Sequence, residues 1–300
     1  LIKKLKKKSL PELVGDIFIY AFLLAVFIVT FLPFWNIFVL SLNDANDTIR
    51  GGFFLWPRVF TIDSYTAVMQ NPEIFPALRV TFLRTIVGVP MTLLVITMLA
   101  YALSQNTLPG KKPLTLFFIF TMYFSGGMIP SYMVNKSLGL IDSFWVFIFP
   151  PIFNAFWMVL VRTFMEGLPK ELEESAKLDG AHDLDILFRI ILPLCMPVLA
   201  TITLFSAINH WNSWYDSYIY TYRDELKTLP AILVKILNQY QTGDMLTAAQ
   251  QMANEAKRLP VSSETIRMTT TIVATVPIIL LYPLLQRYLI KGMMIGAVKG

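Results

Sequence analysis

Six long, predominantly apolar stretches constrain this chain more than any other feature of its sequence. They run over approximately residues 17–41, 83–103, 114–133, 144–163, 189–208 and 268–290. Crossing about 30 Å of hydrocarbon takes roughly 20 such residues in a helix, and each stretch meets that length. Backbone N–H and C=O groups find no water inside a bilayer, so segments of this kind must satisfy one another internally as helices. The expected fold class is therefore all-α: a polytopic membrane protein with six transmembrane helices. Several stretches carry internal prolines, among them Pro33, Pro90, Pro150, Pro151, Pro193, Pro197, Pro277 and Pro283. In a membrane such prolines are tolerated where neighbouring helices or a polar cavity take up the freed carbonyls. Kinks around a path and kinks made for packing are both compatible with them.

Composition agrees with the stretches. Of 300 residues, 55% are hydrophobic and 15% charged, which is more apolar and less charged than a soluble domain. Cys195 is the single cysteine, which excludes an internal disulfide and a multi-cysteine zinc site. The net charge of +5 does not read as nucleic-acid binding, because Lys3, Lys4, Lys6, Lys7 and Lys8 precede the first apolar run directly. Lysines in that place set membrane orientation, holding the head and, after six crossings, both termini in the cytoplasm. The run is too long for a signal core and no small-x-small cleavage site follows it. The expected organisation is a basic N-terminus over 1–16, a six-helix transmembrane domain over 17–290 and a cytoplasmic tail over 291–300. Loop 164–188 then faces the cytoplasm, while segment 209–267 lies outside, although it carries Arg223, Lys227, Lys257, Arg258 and Arg267.

The cytoplasmic loop after the fourth stretch reads as a short, bounded helix. Pro169 suits a first turn, Glu171, Glu173 and Glu174 favour the positive end of the helix dipole, and Gly180 can close it in a left-handed conformation. Leu168, Leu172, Ser175, Ala176 and Asp179 recur at three- and four-residue steps, which gives one face a centre of small side chains. Small residues let a partner's backbone approach closely, and flanking charges can fix its register. An ordinary helix lying on the bilayer is the competing reading of the same residues.

The chain lacks the commoner catalytic signatures. No G-x-x-x-x-G-K-[ST] occurs to cradle nucleotide phosphates, and Gly110-Lys111-Lys112 is a basic turn. His182 and His210 belong to no H-E-x-x-H, and no G-x-S-x-G is present. No catalytic residue and no metal ligand are assigned. Candidates for a solute path are Arg84, Tyr123, Asn154, Trp157, Asn209, Trp211 and Asn212, which combine polar edges with apolar bodies near the stretches. An arginine inside a membrane is a functional candidate by default, but one near a helix end can simply snorkel to the interface. If Arg84 faces a cavity, an acidic solute gains weight.

Glu174-Ser175-Ala176, Asp179-Gly180-Ala181 and then Ile190-x-Leu192-Pro193 resemble the EAA loop of binding-protein-dependent ABC importers. That motif is E-A-A, three residues, G, nine residues, I-x-L-P, and Ser175 is the one departure. Further likeness to carbohydrate-type permeases related to the maltose system comes from Phe124-Ser125-Gly126-Gly127-Met128-Ile129-Pro130, Trp211-Asn212-Ser213-Trp214 and Gln286-Arg287-Tyr288. The first of these resembles a subgroup linked to complex oligosaccharides. The resemblance implies a type I ABC importer permease fold in a bacterial cell membrane. It implies pairing with a second homologous permease, two copies of an ABC ATPase and an extracellular solute-binding protein. ATP and Mg would be bound by the ATPase, with no cofactor in this chain. Glu174, Ser175, Ala176, Asp179, Gly180 and Ala181 are the residues implied to contact that ATPase. Two other readings stand beside it: an ion-coupled secondary transporter, which the near absence of Asp and Glu from the stretches disfavours, and a non-transporting scaffold or membrane enzyme.

Overall fold

The computed structural model describes residues 10–52, 55–243, 262, 264–277 and 279–280. The N-terminal lysine cluster, Lys257 and Arg258, the Gln286-Arg287-Tyr288 segment, the tail over 291–300 and the end of the sixth stretch lie outside these residues. The described chain is helical, with one isolated bridge between Asn43 and Phe60 and no longer strand. It divides into two bodies.

The first body contains α1 (Leu10–Ser41), α2 (Ala45–Ile49), α3 (Asp63–Gln70) and the opening of a helix over 264–277. Most of α1 is exposed and apolar on every side, as a helix surrounded by lipid must be. Its far end is anchored: Val39 and Leu40 pack with Trp35 and Met268, and Thr269 donates a hydrogen bond to the carbonyl of Ser41. Asp44 caps α2 by accepting from the N–H groups of Asn46 and Asp47, satisfying donors that a helix start leaves open.

The second body holds everything from Asn71 to Gln239. Its spine is α4 (Ile74–Ser104), which begins nine residues before the expected position. Along α4 the buried positions Ala77, Thr81, Arg84, Gly88, Thr92, Ile96 and Ala100 recur every three or four residues. Lipid tails are as apolar as leucine, so helices in a membrane associate through close packing, and such a stripe of small residues permits it. Two helices close on this stripe. One is α7 (Ala155–Glu166), through Met158, Val161 and Met165; the other is α11 (Met196–Asn212), through Leu199, Ile202, Ser206 and His210.

Three of the six expected stretches are broken. The third forms α5 (Lys111–Tyr123) and α6 (Met128–Ser137), bent by 118° about Gly126 and Gly127, the latter in the left-handed region at φ 88°. The fourth is one 3₁₀ turn over Phe144–Phe147, an irregular run, and then α7, because Pro150 and Pro151 offer no N–H to continue a helix. In the fifth, α9 (Asp183–Ile186) passes into a π-helical turn over Leu187–Ile191 and a last turn, α10 (Leu192–Leu194), before an 83° bend into α11 at Cys195. Among the described residues two single helices are long and apolar enough to cross a membrane, 13–41 and α4.

Candidate functional site

Arg84 lies about three turns into α4, where it cannot snorkel. Its side chain is 1% exposed and grips Asp216 with both terminal nitrogens, Nη1 to Oδ1 at 3.1 Å and Nη2 to Oδ2 at 2.5 Å. Nη1 also donates to the carbonyl of Ser213 at 3.2 Å, and the guanidinium sits 4.8 Å from the ring centre of Phe147. The expectation of an arginine at a helix end fails because α4 starts earlier than the apolar run does.

Asp216 is held by its own short helix, α12 (Tyr215–Tyr220), which follows a break at Ser213 and Trp214. Lys227 donates to the carbonyls of Ser217 and Thr221, satisfying acceptors at the end of α12. Thr228 bonds Ser213 and Ser217, and the N–H of Leu229 donates to Thr81 on α4 at 2.8 Å. The carboxylate that neutralises Arg84 is therefore clamped by the chain on both sides.

This ion pair forms part of the wall of a cavity of about 440 Å³, within the usual range for a small-molecule site. Of the seven path candidates, Arg84, Asn154, Trp157, Asn209 and Asn212 converge there. Asn154 caps α7, its Oδ1 accepting from the N–H of Trp157, so the cavity wall and the start of that helix are one feature. Tyr123 and Trp211 do not belong. Tyr123 is 84% exposed at the end of α5, and Trp211 is buried with its indole N–H donating to the carbonyl of Ala274. Ser206, His210, Trp214 and Asp216 also line the wall, and nothing local in the sequence singled them out for it. The signal for Asp216 was Arg84 itself, since a charge inside a membrane needs an opposite partner.

At the other end of α4, roughly 30 Å along its axis from Arg84 at 1.5 Å per residue, lies the loop helix α8 (Glu171–Leu178). It starts just after Pro169, and Gly180 at φ 80° ends it as expected. The N–H of Ala181 reaches the carbonyl of Ala176 and that of Gly180 reaches Lys177, the paired bonds of a Schellman motif. Ala176 is buried in the main core, and Ala181 packs partly against it. These two seat the loop, while Glu174, Ser175, Asp179 and Gly180 remain exposed. Leu178, outside the motif, is 89% exposed beside them.

The loop is tied down by charge. Glu173 accepts from Gln105, and Glu166 at the end of α7 pairs with Lys111 at 3.1 Å and Arg162 at 3.0 Å. Burial would raise the Glu166 carboxyl, but its hydrogen bonds to these two cations hold it below its ordinary value. On the opposite side of the second body, Asp142 accepts from the N–H groups of Arg223 and Tyr222 and from the Arg223 guanidinium. Those bonds hold its carboxyl below the usual carboxylate range. Among the described residues no group of three or more His, Cys, Asp or Glu could hold a metal ion.

A cavity at one end of a helical bundle and a bounded helix at the other define a membrane-embedded transport subunit. Residues 65–295 match the family model described as binding-protein-dependent transport system inner membrane component, and the chain belongs to that family. The polygalacturonan/rhamnogalacturonan transport system permease protein YtcP of Bacillus subtilis is 37% identical over 95% of this chain and 98% of its own length. Protein LplC of the same organism is 37% identical over 96% of this chain and 95% of its own. Among solved structures, a chain of a bacterial ABC transporter involved in the import of the acidic polysaccharide alginate superposes with TM-score 0.83 at 30% identity, over 94% of this chain and 99% of that one. The fold is that of a type I ABC importer permease, and the protein is a multi-pass membrane component.

Proposed function

We propose that this chain is one of two permease subunits of a bacterial ATP-driven importer that carries an oligosaccharide into the cytoplasm. The observation that carries the reading is the pairing of a polar cavity with the EAA loop at opposite ends of the same packed helices. Helix α7 runs from Asn154 in the cavity wall to Glu166 beside the loop, so displacement of the loop moves the wall. A soluble ATPase that grips the exposed Glu174, Ser175, Asp179 and Gly180 could drive alternating access in this way. The ATPase, present in two copies with its ATP and Mg, is a separate subunit, consistent with the missing phosphate-binding loop in this chain. A homologous permease, an extracellular binding protein that delivers the sugar, and membrane lipid complete the set of partners. Both termini face the cytoplasm. Sugar cargo is supported by relatives named for polygalacturonan, rhamnogalacturonan and arabinooligosaccharide transport.

The test is purification of the tagged chain, expressed with its neighbours, in mild detergent. An ATPase should co-purify, and Glu174→Lys or Gly180→Pro should release it while the companion permease stays bound. An intact complex in both variants removes the coupling role of the loop. Uptake that survives ATP depletion but collapses with a proton or sodium gradient would instead indicate ion coupling.

A further inference from the structure

Between α1 and α3 the polarity of the chain is inverted relative to a loop in water. Asn43, Asp47 and Thr48 are exposed by only 0%, 8% and 3%, while Leu55, Trp56, Val59, Phe60 and Ile62 are exposed by 64%, 73%, 51%, 67% and 56%. A loop on a soluble protein turns its carboxylates and amides outward and its large apolar side chains inward. Five large apolar groups so close together along the chain form a continuous patch, unlike apolar residues scattered singly over a surface.

The buried polar groups satisfy one another. Asn43 Nδ2 donates to Asp47 Oδ2 at 3.0 Å and to Thr48 Oγ1 at 3.1 Å, and its Oδ1 accepts from the N–H of Val59 at 3.1 Å. Both donors and the carbonyl of that amide are thus occupied. Arg58 lies 3.8 Å from Asp47 and balances its charge. The N–H of Asp44 reaches the carbonyl of Val59 at 2.9 Å, and that of Thr61 reaches Leu42 at 3.0 Å, which pins the apolar strip against the end of α1. Pro57 has no N–H to satisfy. Irregular backbone at the edge of a bilayer needs its polar groups taken up by protein in this way.

The strip also lies at a definite height. Trp35 on α1 donates its indole N–H to the carbonyl of Leu55 at 2.9 Å, six residues before the helix ends at Ser41. At 1.5 Å per residue the loop folds back about 9 Å alongside α1. Counted from Ile17, where the apolar run begins, about 30 Å of hydrocarbon reaches within a turn of Trp35. Leu55 and Trp56 are therefore level with the boundary between acyl chains and headgroups. Indole rings favour that layer because they join an apolar body to one polar N–H. Along α1, Phe31, Phe34 and Phe38 are exposed as well, so the strip continues a surface that already faces lipid.

We propose that residues 55–62 form a membrane-interface anchor, a surface for phospholipid at the boundary where α1 leaves the bilayer, with Trp56 and Phe60 seated where acyl chains meet headgroups. The anchor fixes the depth of α1 and removes this strip from the surfaces open to partners arriving through water. It requires only that α1 crosses the bilayer, and stands apart from the importer reading.

The purified chain, with the subunits that accompany it, can be reconstituted in phosphatidylcholine–phosphatidylglycerol nanodiscs and tested by electron paramagnetic resonance. A nitroxide is placed on Trp56→Cys or Phe60→Cys, and the wild-type preparation treated alike subtracts label on other cysteines. Oxygen partitions into acyl chains, whereas a nickel chelate stays in water. At both positions relaxation by oxygen should exceed relaxation by nickel, with the label about 5–10 Å into the boundary layer. Nickel relaxing either label as strongly as oxygen would put the strip in water, and labels shielded from both would put it against another protein subunit; each result overturns the anchor. Trp56→Phe keeps an apolar ring and gives a second reading should the cysteine variants fail to assemble. Lipid with brominated chains should quench the tryptophan fluorescence of wild type more than that of Trp56→Phe, and equal quenching also overturns the proposal.

Discussion

Among the described glycines, Gly88 has the closest surroundings: α4 passes there over the ring of His210. A Cβ added there would lie 2.6 Å from Nε2 and 2.9 Å from Nδ1 of that ring, and nearer still to Cε1. Carbon and nitrogen atoms in contact need about 3.5 Å, so Gly88→Ala must push ring and helix apart by roughly 1 Å. His210 is 4% exposed and has little room to retreat. Overpacking of this kind costs about 1–3 kcal/mol, and the better helix propensity of alanine returns up to about 1 kcal/mol. With contacts this short the upper part of that range applies, about 2–3 kcal/mol, so the net loss is about 1–2 kcal/mol, which corresponds to a midpoint lower by about 2–8 °C in a body of this size. Thermal unfolding of the detergent-solubilised complex, followed by size-exclusion chromatography, reads it directly. In a His210→Ala background the same glycine substitution should cost nothing, because the obstructing ring is gone. An unchanged midpoint in Gly88→Ala, or an equal drop in both backgrounds, would refute the packing argument.

Three further outcomes follow from the loop and from the opposite side of the second body. Gly180→Ala forces a Cβ into the left-handed region at φ 80° and should cost about 1–2 kcal/mol of local stability, seen as faster amide exchange of Ala181 and weaker ATPase capture. Leu178→Asp alters a side chain that is 89% exposed, so the midpoint should move by no more than about 0.5 kcal/mol while ATPase retention falls; retention at the wild-type level would remove Leu178 from the contact. Asp142 has its carboxyl lowered by hydrogen bonds from Arg223 and Tyr222, so its contribution is present above the unfolded carboxylate value and is lost as pH falls through the lower folded value. Amide protection at Tyr222 and Arg223 should therefore persist down to mildly acidic pH and fall below it, and in Asp142→Asn it should be weak throughout.

The apolar runs and the loop helix were legible because each is written locally. A hydrophobic stretch, a first-turn proline and a left-handed glycine act on their own few residues, and Gly180 ends α8 where its position predicted. The cavity was legible in part. Five of seven candidates meet there, since amphipathic side chains beside apolar runs are a usable signal. Tyr123 and Trp211 lie outside its wall, and nothing local says whether an aromatic ring points to lipid, core or cavity. Asp216 was missed for a different reason: its partner is 132 residues away, and no periodicity links them. The extent of α4 was missed because residues 74–82 include Arg79 and Pro76, which weaken hydropathy without breaking a helix that packs through Ala77, Val80 and Thr81.

The breaks in the stretches bear on how the molecule works. Prolines and glycines announced kinks, but the sequence did not say that they partition the second body into stiff pieces. Helix α4 is continuous past Pro90, and α7 is unbroken from the cavity to the loop, whereas the chain is irregular at 124–127 and 148–154 and tightly bent at Cys195. The π-helical turn at Leu187–Ile191, where the N–H of Leu192 reaches back to Leu187, precedes that bend. Ala176 on the loop packs in the same core as Ile186, Leu187 and Ile191, so the loop is seated on the distorted segment as well as on α7. In the alternating-access reading, force applied to α8 thus reaches the cavity by two routes. One is the rigid α7, ending at Asn154. The other crosses the bend at Cys195 into α11, which carries Ser206 and His210. Two walls of one cavity driven through unequal linkages must change their spacing when the loop moves, and an importer that releases its cargo needs that change.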